Sequence, residues 1–354
     1  MFTIVLSFIT ALALSYIVMP GIIRLCIEKQ LAVPPPRPRD AHKIPTPSMG
    51  GIGIFIGTVF SIILWTPYGA AEKLQYILCG LLILFIIGVR DDIIEMAARR
   101  KLVGQLLAAG ILVFKSDVLI TNFQGILNIY EINYWAAAAL SIFVIIVIMN
   151  SFNLIDGING LSGGTTVLVT FFFGVWFAST AHVGLAIMAF ATAGSAIAFL
   201  RYNFPKAEVF MGDSGSLVLG LIISVLTIRF IELHTDLSVD SPYYYAAAPA
   251  MAIATLILPL FDTARVFISR AIRGRSPLSP DRNHIHHLLI DSGLTHVQAT
   301  FSLITVNGIF IALVVILQEM GNALLLGFIL LLALGFMGAL QLRVMRKRRL
   351  KNAA

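Results

Sequence analysis

Apolar runs, each near the length a helix needs to cross a bilayer, follow one another along this whole chain. About 20 mostly apolar residues span the roughly 30 Å hydrocarbon layer. The runs fall at about 2–22, 48–66, 74–90, 101–117, 134–150, 160–180, 183–200, 214–231, 246–268, 297–317 and 322–342. That predicts an all-α, polytopic membrane protein of about eleven spans. Ten remains open, because the junction at 180–183 is tight and the run at 101–117 is short. Apolar residues are 58% of the chain and charged residues 12%, against about 25% charged in ordinary globular domains. One soluble core cannot hide that much apolar surface, so residues 1–354 read as a single membrane domain. The first run lacks a basic leader segment and a small-residue cleavage site before Pro20, so it is expected to be an uncleaved helix.

Lys and Arg give the orientation, since cytoplasmic loops collect them. With the C-terminal RVMRKRRLK (343–351) inside, all of the 25 basic residues but Lys73, Lys115 and Arg229 lie in or beside cytoplasmic segments. The N-terminus is then outside, and loops 23–47, 91–100, 151–159, 201–213 and 269–296 face the cytoplasm. Outside, 118–131 alternates weakly around Gln124-Gly125 and suggests a small hairpin. The net charge of +7 is divided among separate loops rather than gathered on one face, which argues against nucleic acid. Cys26 and Cys79 form no CxxC pair, so neither a disulfide framework nor a thiolate metal site is expected.

Five motifs fall on the predicted cytoplasmic edge. GVRDDI ends the third run with Asp91 and Asp92; adjacent carboxylates repel unless a cation is near, and Mg²⁺ accepts such hard oxygens. The bland reading is a polar stop at a helix end. NSFNLIDGINGLSGG (150–164) sets Asn153, Asp156 and Asn159 among glycines, more than a plain turn requires. RYNFPKAEVFMGDSGS (201–216) carries Asn203 and Phe210 and brings Asp213 to the start of the eighth run. A helix N-terminus there favours an anion, unless Asp213 or Ser214 simply caps it. SPLSPDRNHIHHLL (276–289) places three of the seven histidines, His284, His286 and His287, beside Asp281 and Arg282. HxHH lacks the helical spacing of a zincin site, so phosphate binding or loop ordering is the better reading than zinc. HKIPTPSMGGIGIF (42–55) offers Lys43 and a set of glycines suited to close helix packing. Lys101, with Arg99 and Arg100, faces the same edge, as phosphate ligand or as positive-inside anchor.

PTPSMGG, the aspartate pair, NLIDGINGL, VFMGDSGS and SPDRNHIHHLL, in this order over residues 42–296, resemble the polyprenyl-phosphate N-acetylhexosamine-1-phosphate transferases. The HIHH form is similar to the N-acetylglucosamine branch of that family. The resemblance implies a bacterial inner-membrane enzyme with a cytoplasmic active site. It would move N-acetylhexosamine 1-phosphate from a UDP-N-acetylhexosamine to undecaprenyl phosphate, with Mg²⁺ as cofactor or Mn²⁺ as its substitute. Asp213, Asp91 and Asp92 match the metal and catalytic positions, with His284 beside them. Lys43, Lys101, Asn153, Asp156, Asn159, Asn203, Phe210, Asp281, Arg282, His286 and His287 match the substrate site. Many relatives carry an aspartate where this chain has Asn159. Another UDP-sugar, including a muramoyl pentapeptide or a 6-deoxy sugar, stays open, as do a covalent aspartyl-phosphate route and a homodimer. The rival class, a transporter, predicts ionisable groups near mid-membrane and inverted repeats, and the chain shows neither pattern.

Overall fold

The computed structural model describes residues 1–31, 46–70, 73–274 and 284–353. Among them all the regular structure is helical: α1 (Phe2–Lys29), α2 (Gly50–Trp65), α3 (Leu74–Ile93), α4 (Ala98–Lys115), α5 (Tyr134–Ile155), α6 (Leu161–Ser179), α7 (Val183–Asn203), α8 (Asp213–Leu233), α9 (Ala248–Thr255), α10 (Ile257–Ile272), α11 (Ile285–Asp291), α12 (His296–Ile316) and α13 (Asn322–Ala353). Each of the eleven apolar runs is helical. Seven of the described helices are long and apolar enough to cross a bilayer alone, and the α9–α10 pair makes up to eight. Lipid leaves backbone polar groups no other partner than their own helix, which is why the runs read so directly as structure.

α8 is the hub. Every residue from Ser214 to Ile228 is buried, as expected of a helix apolar on all sides. It packs against α2, α3, α5 and α6, while α7 seats α1, α2 and α6. Small side chains along α7 let α1 approach; a Cβ on Gly194 would stand 2.4 Å from the Phe8 carbonyl oxygen.

The expected span at 246–268 is not one continuous helix. α9 and α10 meet at Leu256 with a bend of 76°. Pro259 explains it, since its ring excludes the carbonyl four residues back and it has no N–H to donate. The freed carbonyl, that of Thr255, accepts instead from Asn307 Nδ2 of α12 at 3.0 Å. In the expected hairpin, Phe123 N donates to Tyr130 O and Ile132 N to Thr121 O, around one antiparallel bridge between Asn122 and Glu131.

Candidate active site

α2, α3 and α8 touch end on end without side chains between them. A Cβ on Gly51 would lie 2.0 Å from the Gly215 nitrogen, and one on Gly88 2.5 Å from the Ser214 Cα. The chain entering α2 is also laced to the segment before α8. Phe210 N donates to Pro47 O, Gly50 N to Phe210 O and Gly51 N to Met211 O, at 2.8 to 2.9 Å. Two separate glycine-bearing motifs therefore form one floor.

On this floor Asp92 turns its carboxylate onto the N-terminus of α8, accepting from Asp213 N at 2.7 Å and Ser214 N at 3.1 Å. The N-cap residue itself, Gly212, contributes no side-chain cap, so neither expected cap, Asp213 nor Ser214, fills that role. Gly212 has φ 72°, and a Cβ there would press on Asp92 at 2.6 Å, so only glycine suits it. The α8 N-terminus does hold an anion, but the anion is the protein's own.

Asp91 and Asp213 face each other across one ammonium. Lys101 Nζ is 2.7 Å from Asp91 Oδ2 and 2.7 Å from Asp213 Oδ2. Asp91 Oδ1 is held by Met96 N at 2.7 Å, and Asn153 Nδ2 donates to Asp213 Oδ2 at 3.2 Å. Asn150, in the same motif as Asn153, is paired with Gln105 of α4. Asp156 closes the group, accepting from the Gly212 backbone. Burial, then the charges of Asp213 and Asp92, raises the Asp156 carboxyl well above its ordinary range. Burial also pushes Asp92 up to about 7, against the pull of its Ser214 and Asp213 donors. The site is over-supplied with negative charge.

Among the described residues, no three Asp, Glu, His or Cys side chains converge tightly enough to enclose a metal ion. The described residues alone therefore form no ready cage of the zinc type. It is compatible with Mg²⁺, which takes one or two carboxylates and completes its shell from water and substrate phosphates. Asp91 and Asp213 are two carboxylates that could serve in this way, whereas Asp92 is occupied by backbone donors.

The histidine motif joins the same edge. His286 packs on Gly157, next to Asp156, so closely that a Cβ there would meet its Nε2 at 2.3 Å. The His284 and His286 rings lie parallel with centroids 5.7 Å apart, and His287 is 4.3 Å from His286. Burial drives His286 down to about 3, with the neighbouring histidine charges adding to it, so it is a neutral imidazole. Sequence reasoning passed over the residue that anchors the motif. Asp262 of α10 accepts from His284 Nδ1 and Ile285 N, both at 2.9 Å, and from Arg265 at 2.8 Å. The available signal was a single acid inside an apolar run.

Three expected substrate residues make local structural contacts. Asn159 donates to Pro205 O at 3.2 Å, and its own carbonyl accepts from Thr300. Asn203 bridges Gly160 N and Val209 O, and Phe210 takes part through its backbone in the floor. Lys43, Asp281 and Arg282 lie outside the described residues.

Fold and site together define a multi-pass helical membrane protein with an acidic, lysine-bridged cluster at one end of its bundle. The description of glycosyl transferase family 4 matches residues 74–231. A Bacillus subtilis protein named a probable undecaprenyl-phosphate N-acetylglucosaminyl 1-phosphate transferase is 32% identical over 90% of this chain and 86% of its own length. The Escherichia coli K12 undecaprenyl-phosphate alpha-N-acetylglucosaminyl 1-phosphate transferase is 30% identical over 84% of this chain and 79% of its own. A Mycolicibacterium smegmatis decaprenyl-phosphate N-acetylglucosaminephosphotransferase is 30% identical over 82% and 76%. The chain belongs to glycosyl transferase family 4, alongside these polyprenyl-phosphate N-acetylglucosamine-1-phosphate transferases.

Proposed function

We propose that this protein transfers N-acetylglucosamine 1-phosphate from UDP-N-acetylglucosamine to undecaprenyl phosphate at the cytoplasmic face of a bacterial inner membrane. The observation that carries it is the convergence of Asp91, Asp213 and Lys101, in a chain whose relatives bear that activity in their names. An oxygen of the lipid phosphate attacks the sugar-bearing phosphorus. The bond from that phosphorus to the bridging oxygen breaks, UMP leaves, and a lipid-linked diphospho-sugar remains to start an envelope polysaccharide.

The acceptor needs little help from a base, because a phosphate monoester with a second pKa near 6 is largely dianionic at neutral pH. Bringing two polyanions together is the greater task. Lys101 offers one fixed positive charge, and Asn153 orients Asp213. Mg²⁺ would be held by Asp213 and Asp91, where it supplies charge neutralisation and alignment of phosphates. Asp92 fits a positioning role, holding the α8 N-terminus and hence Asp213. The Asp156–Gly157 turn and the histidine motif fit the nucleotide-sugar side. An apolar cavity of about 230 Å³ between α5, α8 and the bent α9–α10 pair, lined among others by Val147, Thr227, Leu256 and Leu260, suits part of a polyprenyl chain.

Purified protein given UDP-N-acetylglucosamine, undecaprenyl phosphate and Mg²⁺ is expected to release UMP. A chelator should stop release, and Mg²⁺, or less well Mn²⁺, should restore it. Silence with every UDP-N-acetylhexosamine tried would overturn the reading.

A further inference from the structure

We infer that Asp262 is a positioning residue of the transferase site: it fixes the tautomer and orientation of His284, leaving Nε2 as the acceptor nitrogen available to a hydroxyl or N–H of the sugar nucleotide. This rests on the function proposed above and adds a residue to it.

Asp262 is 1% exposed and sits within an apolar helix. A carboxylate there is costly and persists only when fully paired. It has three donors, and their division between its oxygens is informative. Oδ1 accepts from Ile285 N at 2.9 Å and from Arg265 at 2.8 Å. Oδ2 accepts from His284 Nδ1 at 2.9 Å. Ile285 opens α11, and His284 at its N-cap makes no side-chain cap bond, so Oδ1 caps the helix from 23 residues away. Capping alone would need nothing from Oδ2. That oxygen serves the imidazole, and the hydrogen bond at one ring nitrogen decides which state the other presents.

The pairing is also rigid at its far end. His284 is 5% exposed, and its ring is parallel to that of His286, which is wedged on Gly157 beside Asp156. Asp262, His284, His286 and the Asp156 turn thus form one contiguous packed series. Movement of the carboxylate must displace the imidazole relative to the acidic cluster.

Asp262→Asn keeps the shape but turns an amide N–H or a weaker acceptor toward Nδ1. With UDP-N-acetylglucosamine and undecaprenyl phosphate as substrates, kcat is expected to fall about tenfold to hundredfold. KM for the sugar nucleotide should stay within about twofold, the mark of an interaction realised in the transition state. Asp262→Glu should restore part of kcat. Asp262→Asn added to His284→Ala should cost nothing further, because both changes remove one unit. Near-normal kcat in Asp262→Asn, or a full further loss on top of His284→Ala, would refute the assignment. Where Asp262→Asn does not fold, ¹⁵N-histidine NMR of the wild-type protein decides, with His284 assigned from His284→Gln: a proton on Nδ1 is expected, and Nε2–H tautomer overturns it. Absence of turnover in the wild type would instead sink the proposed function and leave the NMR arm standing.

Discussion

Gly88→Ala is the most informative single change that touches no ionisable group. Its Cβ would stand 2.5 Å from the Ser214 Cα and nitrogen and 2.6 Å from the Asp213 carbonyl oxygen. All three are backbone atoms that cannot rotate away. Ordinary carbon contacts lie near 3.5–4.0 Å, so α3 must withdraw from α8 by about 1 Å. Overpacking of this kind costs about 1–3 kcal/mol. The catalytic cost should be larger, because Asp92 is one helical turn beyond Gly88 and its bonds to Asp213 N and Ser214 N span this same contact. A 1 Å misplacement can cost about 10²-fold in rate. Gly53→Ala is the control. Its Cβ would meet Met19 Cε at 2.6 Å, the end of a flexible chain that can swing aside. UMP release and thermal unfolding in the same detergent should show Gly88→Ala about a hundredfold slower and modestly less stable, with Gly53→Ala close to wild type. Equal rates for the two variants would refute the claim that backbone contact of α3 with α8 sets the site.

Asp213→Ala should abolish UMP release while leaving the unfolding midpoint within a few degrees of wild type; residual turnover near normal would remove Asp213 from the metal assignment. Asn159→Ala, which loses the donor to Pro205 O, should lower the unfolding midpoint by the equivalent of about 1 kcal/mol and leave KM for the UDP-sugar within about twofold; a tenfold rise in KM would return Asn159 to the substrate. His286 is held neutral, down at about 3 against an ordinary 6.5, so its contribution to stability is intact above about 6.5 and declines as pH falls toward 3. Thermal unfolding between pH 7 and 4 should therefore fall less steeply in His286→Gln than in wild type, and identical slopes would contradict its burial as a neutral ring.

The sequence was most legible where lipid is the constraint. Every apolar run became helix because a membrane offers the backbone no alternative. The break at Leu256 was missed because length and hydropathy ignore Pro259, although proline was in plain view. Asp91, Asn153, Asp156 and Asp213 stand in unusual local sequences, and they come together with Lys101. What they contact was not legible: Asp92 and Asp213 are 121 positions apart, and Asp262 and His284 are 22. The structural contacts of Asn159 and Asn203 were equally hidden, since each amide pairs with backbone far along the chain, Asn159 with Pro205 O and Asn203 with Gly160 N.

Because Asp92 already fills the N–H groups that open α8, that helix end is closed to a second anion. A phosphate entering the site meets carboxylates first, and Lys101 is engaged with two of them. On the proposed function, a sugar nucleotide should bind poorly as a naked anion and well when it arrives with its own counter-charge. On the same proposal, the arrangement would favour turnover at the other end, since a departing UMP would leave behind a surface that repels it.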